Sequence, residues 1–195
     1  MPSFLIPQNI KIAQAPGYIK IEGPFGYSIK KTGGTAFSVI NTSEGLRLFA
    51  NNSTGLSFLF QIVRGLAYGF RQRLRLTGIG FRAYSKNTPM KDLNVKGYIR
   101  KRLKENTTSP VISIKLGFSH EITYCSSQQN PVAIAGSRLE GRTKGTLIYL
   151  QGNSKSHVNQ AASEIQSFRF PDVYKGKGIY FDKQKIKLKK GKRQG

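Results

Sequence analysis

The chain has 195 residues, 38% of them hydrophobic, enough for one large domain or two small ones with modest cores, which excludes a disordered polycation. Its 32 Lys and Arg face only 9 Asp and Glu, a formal charge of +23, so isolated molecules repel one another strongly unless a polyanion neutralises them. Nucleic acid is the first candidate polyanion. An acidic membrane is set aside, because the longest apolar run, Leu56 to Phe70, is interrupted by Gln61 and Arg64 and is too short to span a bilayer.

The opening Met1-Pro2-Ser3-Phe4-Leu5-Ile6-Pro7 has neither a basic n-region with a long apolar core nor the Arg-rich character of a transit peptide, so no targeting segment is expected there. Triplets such as Asn52-Ser53-Thr54 and Asn106-Thr107-Thr108 then carry no glycosylation meaning. Short alternating segments follow, at Ile10 to Ile12, Tyr18 to Ile21 and Tyr27 to Lys30, punctuated by Gly23-Pro24-Phe25-Gly26, and they predict strands of an antiparallel sheet. Leu46 to Ala50 predicts another strand. It runs into Asn51-Asn52-Ser53-Thr54, residues that suit a helix N-cap. Leu56, Leu59, Phe60, Val63, Leu66 and Ala67 recur at helical spacing, giving a helix with one face for the sheet, weakened at Gly69. Phe70 to Tyr84 returns to period two, with Leu74 and Leu76 on one face and Arg71, Arg73 and Arg75 on the other.

The second half repeats this grammar at an offset of about a hundred residues. Gly145 echoes Gly45, Thr146 to Leu150 echoes the strand, Gln151-Gly152-Asn153-Ser154 echoes the polar cluster, and Val158, Ala161, Ala162, Ile165 and Phe168 form a second helix stripe. Further strands are expected at Val111 to Leu116, Glu121 to Cys125 and Val132 to Ala135. The pattern predicts an α+β fold of two tandem similar domains, each an antiparallel or mixed sheet with a helix packed on one face, plus a basic C-terminal tail. The expected boundaries are an N-terminal domain at 1–84, a basic linker or insertion at 85–110 carrying Lys96, Arg100, Lys101, Arg102 and Lys104, a C-terminal domain at 111–173, and a tail at 174–195.

Catalysis finds little footing. The nine carboxylates are scattered, and two histidines with one cysteine are too few for most metal sites, so no catalytic residue, metal or cofactor is expected. The single Cys125 excludes an intramolecular disulfide and fits a reducing compartment. A Cys125/His120 nucleophile pair is conceivable across a turn, but these read better as a small buried hydrophobe and a surface histidine. Gly136-Ser137-Arg138-Leu139-Glu140-Gly141-Arg142-Thr143 mimics a phosphate loop with Arg142 in the lysine position. Such a loop must open a helix, whereas residues 144–150 read as a strand, so a basic hairpin loop is preferred.

The tail holds nine Lys and Arg against Asp182 alone: Lys175, Lys177, Lys183, Lys185, Lys187, Lys189, Lys190, Lys192 and Arg193. In Tyr174-Lys175-Gly176-Lys177-Gly178-Ile179 the glycines are expected to let the backbone approach a phosphate and the lysines to supply the charge. The stretch from Phe168 to Ile179, in which Arg169-Phe170-Pro171 leads into this motif, closely resembles the C-terminal signature of the large-subunit ribosomal protein six family, L-six in bacteria. Leu76-Thr77-Gly78-Ile79-Gly80-Phe81-Arg82-Ala83 resembles the strand linking that family's two domains. Leu116-Gly117-Phe118-Ser119-His120 resembles its Gly-aromatic-Ser-His turn, and the helix end from Val63 to Phe70 fits as well.

The resemblance implies two similar α+β domains and a structural place in the large ribosomal subunit near the factor-binding region. It also implies that the second domain and tail bind large-subunit ribosomal RNA close to the sarcin-ricin loop. Carried onto this sequence, it makes Arg169, Tyr174, Lys175, Gly176, Lys177 and Gly178 RNA contacts, joined by the remaining tail cations. Three departures stand out: Asn52-Ser53-Thr54-Gly55 replaces a His-Gly-Thr helix start, Gln166 replaces a helical arginine, and the inter-domain segment is long. Expected partners are the ribosomal RNA and neighbouring ribosomal proteins, with no membrane, no small-molecule substrate and no homo-oligomer. The rival reading is a free-standing basic RNA-binding protein or chaperone; an enzyme is third. The wealth of Lys, Asn, Ile, Phe and Tyr points to an A+T-rich genome. With the excess charge and the insertion, it favours a mitochondrial ribosome, the alternatives being a plastid or a bacterial cytoplasm.

Overall fold

The computed structural model describes residues 3–31, 37–43, 45–86, 111–125, 133–136 and 145–191. The fold is α+β, and the chain divides into two compact units, Met1–Phe70 with Asn153–Lys155, and Arg71–Gly152 with Ser156–Gly195.

The first unit holds β1 (Ser3–Leu5), β2 (Lys11–Ala15), β3 (Tyr18–Gly23), β4 (Gly26–Lys31), β5 (Phe37–Thr42), β6 (Gly45–Ala50) and α1 (Ser53–Tyr68). They form two antiparallel sheets, ordered β1-β6-β5 and β2-β3-β4. Period two decides which residues go inward: Ile19 and Ile21 of β3 are buried, while Tyr18 and Lys20 are exposed. The Asn52 side chain accepts the Thr54 N–H at 3.0 Å, so this chain caps α1 with an asparagine. At the other end Gly69, at φ +71°, donates to the Gly65 carbonyl and stops the helix. The stripe Leu56, Leu59, Val63, Leu66 and Ala67 closes on Ile6, Ile10, Ile19, Ile21 and Leu48. Each fully buried large aliphatic there contributes about 1.5–3 kcal/mol.

The second unit holds β7 (Phe70–Thr77), β8 (Arg82–Lys86), β9 (Val111–Lys115), β10 (Ile122–Cys125), β11 (Ala133–Gly136), β12 (Leu147–Gly152), α2 (Lys155–Ser167) and β13 (Gly178–Phe181). Its sheets are ordered β10-β9-β8 and β11-β12-β7-β13. Their core includes Leu74, Leu76, Ile112, Ile114, Leu116, Ile148, Leu150 and Ile179, joined by Val158, Ala161, Ala162 and Ile165 from α2. The Gly45 and Gly145 echo is structural: both have positive φ, +127° and +71°, the first opening β6 and the second just ahead of β12. In each half that strand is followed by a helix.

Three sequence expectations change. Residues 71–84, assigned to the first domain, cluster with the second unit, because β7 is hydrogen-bonded between β12 and β13. The segment from Phe70 to Tyr84 is two strands rather than one: Gly78 and Gly80 have positive φ, Phe81 N–H turns back to the Gly78 carbonyl, and β8 then joins the other sheet. The expected tail begins inside the fold, since β13 pairs with β7 in the register Ile179↔Leu76 and Phe181↔Leu74. Of the expected linker, Ser85 and Lys86 end β8; residues 87–110, with the basic cluster from Lys96 to Lys104, lie outside the described residues.

Candidate nucleic-acid interface

Immediately before β13 the chain makes a tight turn organised by Asp172. Its carboxylate accepts the N–H groups of Tyr174 (3.2 Å) and Lys175 (2.9 Å), its own N–H donates to the Lys177 carbonyl, and its carbonyl accepts from Gly176. An aspartate accepting the backbone two residues on is a local device that fixes a turn. The N–H donors of Lys175 and Tyr174 hold the Asp172 carboxyl below the usual carboxylate range. At the apex Tyr174, 58% exposed, and Lys175 point into solvent.

The two glycines of this motif are required by the fold itself. Gly176 and Gly178 are buried, at φ +64° and +150°. A Cβ on Gly178 would lie 2.5 Å from the Pro171 Cα and 2.7 Å from the Phe170 carbonyl oxygen; one on Gly176 would touch Leu188 and the Tyr180 hydroxyl at 3.4 Å. The glycines therefore let the chain fold tightly on itself. Tyr180 then reaches back to donate to the Gly176 carbonyl at 2.8 Å.

Beyond β13, Gln184 reverses the chain. Its side-chain oxygen accepts from the Phe181 N–H and from the Gln166 amide, which also donates to the Ile179 carbonyl at 3.2 Å. Gln166, where the resembled family carries an arginine, is thus a buried polar link between α2 and β13. The following lysines have no regular secondary structure, yet they are pinned. Lys189 N–H donates to the Val173 carbonyl at 2.9 Å, and Leu188 lies over Gly176. Ile186 is half-buried, whereas Lys183, Lys185, Lys187, Lys189 and Lys190 are all exposed. Together with Lys175 and Lys177 they make seven lysines on one folded-back segment, none of which takes part in an ion pair among the described residues. Its one acid, Asp182, is already occupied by Arg73, whose Nε donates to it at 2.8 Å. Lys192 and Arg193 lie outside the described residues.

Arg169 is placed differently. Its guanidinium lies between the Phe81 and Phe118 rings, 5.1 Å from each centroid, and donates to the Leu116 carbonyl. The Arg169 carbonyl also accepts from Ile179 at 3.0 Å. It is a half-buried cation that ties the end of α2 to β13 and to the turn after β9. An arginine so engaged with two rings and a carbonyl holds the fold together.

Chemistry of other kinds is poorly served. Burial pushes the Cys125 thiol up, away from the reactive thiolate, and His120 instead stacks on Phe118 at 6.0 Å. The residues after the phosphate-loop mimic form β12, a strand, so no helix N-terminus is presented there; residues 137–144 themselves lie outside the described residues. Among the described residues no cluster of His, Cys, Asp or Glu could hold a metal, and no helix is long and apolar enough to cross a membrane. Sequence reasoning missed Asp172, Gln166, Gln184 and Tyr180 as organisers of this surface. Only Asp172, two residues ahead of Tyr174, carried a local signal.

No family model matches the chain. Among curated proteins it is similar to large ribosomal subunit protein uL6 of Bordetella pertussis, 27% identical over 199 residues, covering 97% of this chain and 94% of that protein. The uL6 of Geobacter sulfurreducens is 28% identical over 195 residues (96% and 92%), and that of Xanthomonas axonopodis pv. citri 29% over 197 (96% and 94%). These likenesses run nearly end to end on both sides. Together with the signature from Phe168 to Ile179, which leads into the lysine segment, they make the chain similar over almost its whole length to uL6 proteins of the large ribosomal subunit.

Proposed function

We propose that the chain is a non-catalytic structural constituent of the large ribosomal subunit, binding its ribosomal RNA through the Tyr174–Lys175 apex and the pinned lysine segment that follows. The observation that carries the reading is the set of seven lysines without ion pairs on one ordered surface of a chain with formal charge +23. Cations carried on a pinned backbone and left without carboxylates are suited to phosphates, whose neutralisation releases counterions and dominates affinity. Tyr174 is available for stacking or for a hydrogen bond to a 2′-hydroxyl. The family likeness supports neighbouring ribosomal proteins as further partners and a place near the factor-binding region and sarcin-ricin loop. Composition favours a mitochondrial ribosome; identifying the genome that carries the gene tests this against a plastid or a bacterium.

Gradient fractionation at physiological salt is the direct test. The full chain is expected in the large-subunit fractions. Recovery only in the soluble fractions would replace this reading with that of a free-standing RNA chaperone. A truncation test must respect the fold: removing everything from Tyr174 onward deletes β13, whereas ending the chain after Gln184 keeps β13 and removes the lysines beyond together with the Leu188 and Lys189 contacts that pin them.

A further inference from the structure

The second unit has another cationic surface, which shares Lys183 with the lysine segment. On β7 the alternation that buries Leu74 and Leu76 exposes Arg71 and Arg73, and on β12 it exposes Tyr149 between buried Ile148 and Leu150. The turn after β13 brings Asp182 and Lys183 beside them, enclosing a groove of about 770 Å³ that Gln151 also lines. A volume of roughly 300–1,000 Å³ is the range of small-ligand sites.

The groove's charges are already sorted. Arg73 is held by Asp182 through Nε and Nη2 and by the Tyr149 side chain, so the one acid is occupied and the guanidinium is fixed. Arg71 and Lys183 take part in no ion pair among the described residues. The same groove is lined by Tyr149, 42% exposed, and by the half-buried Gln151. Two available cations, a flat ring and an amide that both donates and accepts match one ligand chemistry: a nucleoside monophosphate unit.

We propose that this groove receives one unpaired nucleotide of RNA, its base on Tyr149 with an edge toward Gln151 and its phosphate between Arg71 and Lys183. The proposal rests on the reading that the second unit binds RNA, and it adds a single-strand subsite to a surface otherwise suited to backbone phosphates. A continuous duplex cannot use it, because its bases are stacked and paired.

The chain contains no tryptophan, so Tyr149→Trp in the full-length protein places a lone indole in the groove. Its emission is followed at physiological salt while adding a single-stranded oligoribonucleotide, a blunt RNA duplex of equal length, or adenosine monophosphate. The single strand is expected to quench the indole, the duplex to bind without quenching, and the mononucleotide to quench only at far higher concentration. In the Tyr149 background, Arg71→Gln should cost about tenfold in single-strand affinity and leave duplex affinity within about twofold. That ratio stands independently if the tryptophan variant fails to fold. Binding of both RNAs with no quenching by either, or equal losses for both in Arg71→Gln, overturns the groove while leaving the RNA-binding reading intact. If neither RNA binds, that reading falls too. Equal quenching by the mononucleotide and the strand would make this a free-nucleotide site and overturn the RNA assignment.

Discussion

Arg169 and the lysines from Lys183 to Lys190 sit close together in the sequence, yet they use positive charge in opposite ways. Arg169 is clamped between Phe81 and Phe118 and bonded to Leu116, half out of water. The lysines stand on a segment fastened by Gln184, Leu188 and the Lys189 N–H, with their ammonium groups exposed and without ion pairs among the described residues. The first arrangement turns a cation into a structural rivet, and the second turns structure into a support for cations. Both are needed, because lysines on a slack segment lose conformational entropy on every contact they make.

The comparison breaks first at the lysines. Replacing Lys185, Lys187, Lys189 and Lys190 together by glutamine should lower RNA affinity by roughly one to two decades and reduce the slope of log K against log salt by about 3 to 4. Thermal stability should stay within about 0.5 kcal/mol, as surface changes usually do. An unchanged salt slope would remove these lysines from the interface. Next in size is Gly178→Ala, whose Cβ would collide with the Pro171 backbone at an unfavourable φ; a loss of about 2–5 kcal/mol in denaturant unfolding is expected.

Arg169→Met keeps the aliphatic stem and removes the charge. It should cost about 1–3 kcal/mol of stability with no change in salt slope at temperatures where the variant is folded. A lower salt slope at full stability would make Arg169 an RNA contact after all and erase the distinction drawn above. The smallest effect belongs to Asp172. Its folded pKa lies below its ordinary value, so its stabilisation is fully present above about pH 4 and is lost as pH falls through the lower folded value. Asp172→Asn should therefore lower the melting temperature slightly at neutral pH and flatten the acid limb, the two profiles converging at the lowest pH.

What could be read from the sequence was what local periodicity encodes. The stripe Leu56, Leu59, Val63, Leu66 announced α1, the alternation at Ile19 and Ile21 announced β3, and the glycines opening β6 and preceding β12 exposed the internal echo. Where long-range pairing decides, the reading failed. β13 is four residues, Gly-Ile-Tyr-Phe, inside a lysine-rich stretch, and only its partner β7, a hundred positions earlier, makes it a strand. The turn at Gly78–Phe81 was hidden because period two continues on both sides of it. The structural place of Arg169 was hidden because its partners, Leu116, Phe118 and Phe81, are remote in sequence. The lysines' exposure needed no such information, since nothing nearby in sequence could neutralise them.

The place of β7 between β12 and β13 has a consequence for biosynthesis. A growing chain displays β7 long before either neighbour has been made, so both of its hydrogen-bonding edges stay open while the intervening residues are added. Unpaired edges invite pairing with other chains, and closing such distant contacts is slow. Arg71, Arg73 and Arg75 along the waiting strand supply the charge that keeps nascent copies apart until the sheet is complete.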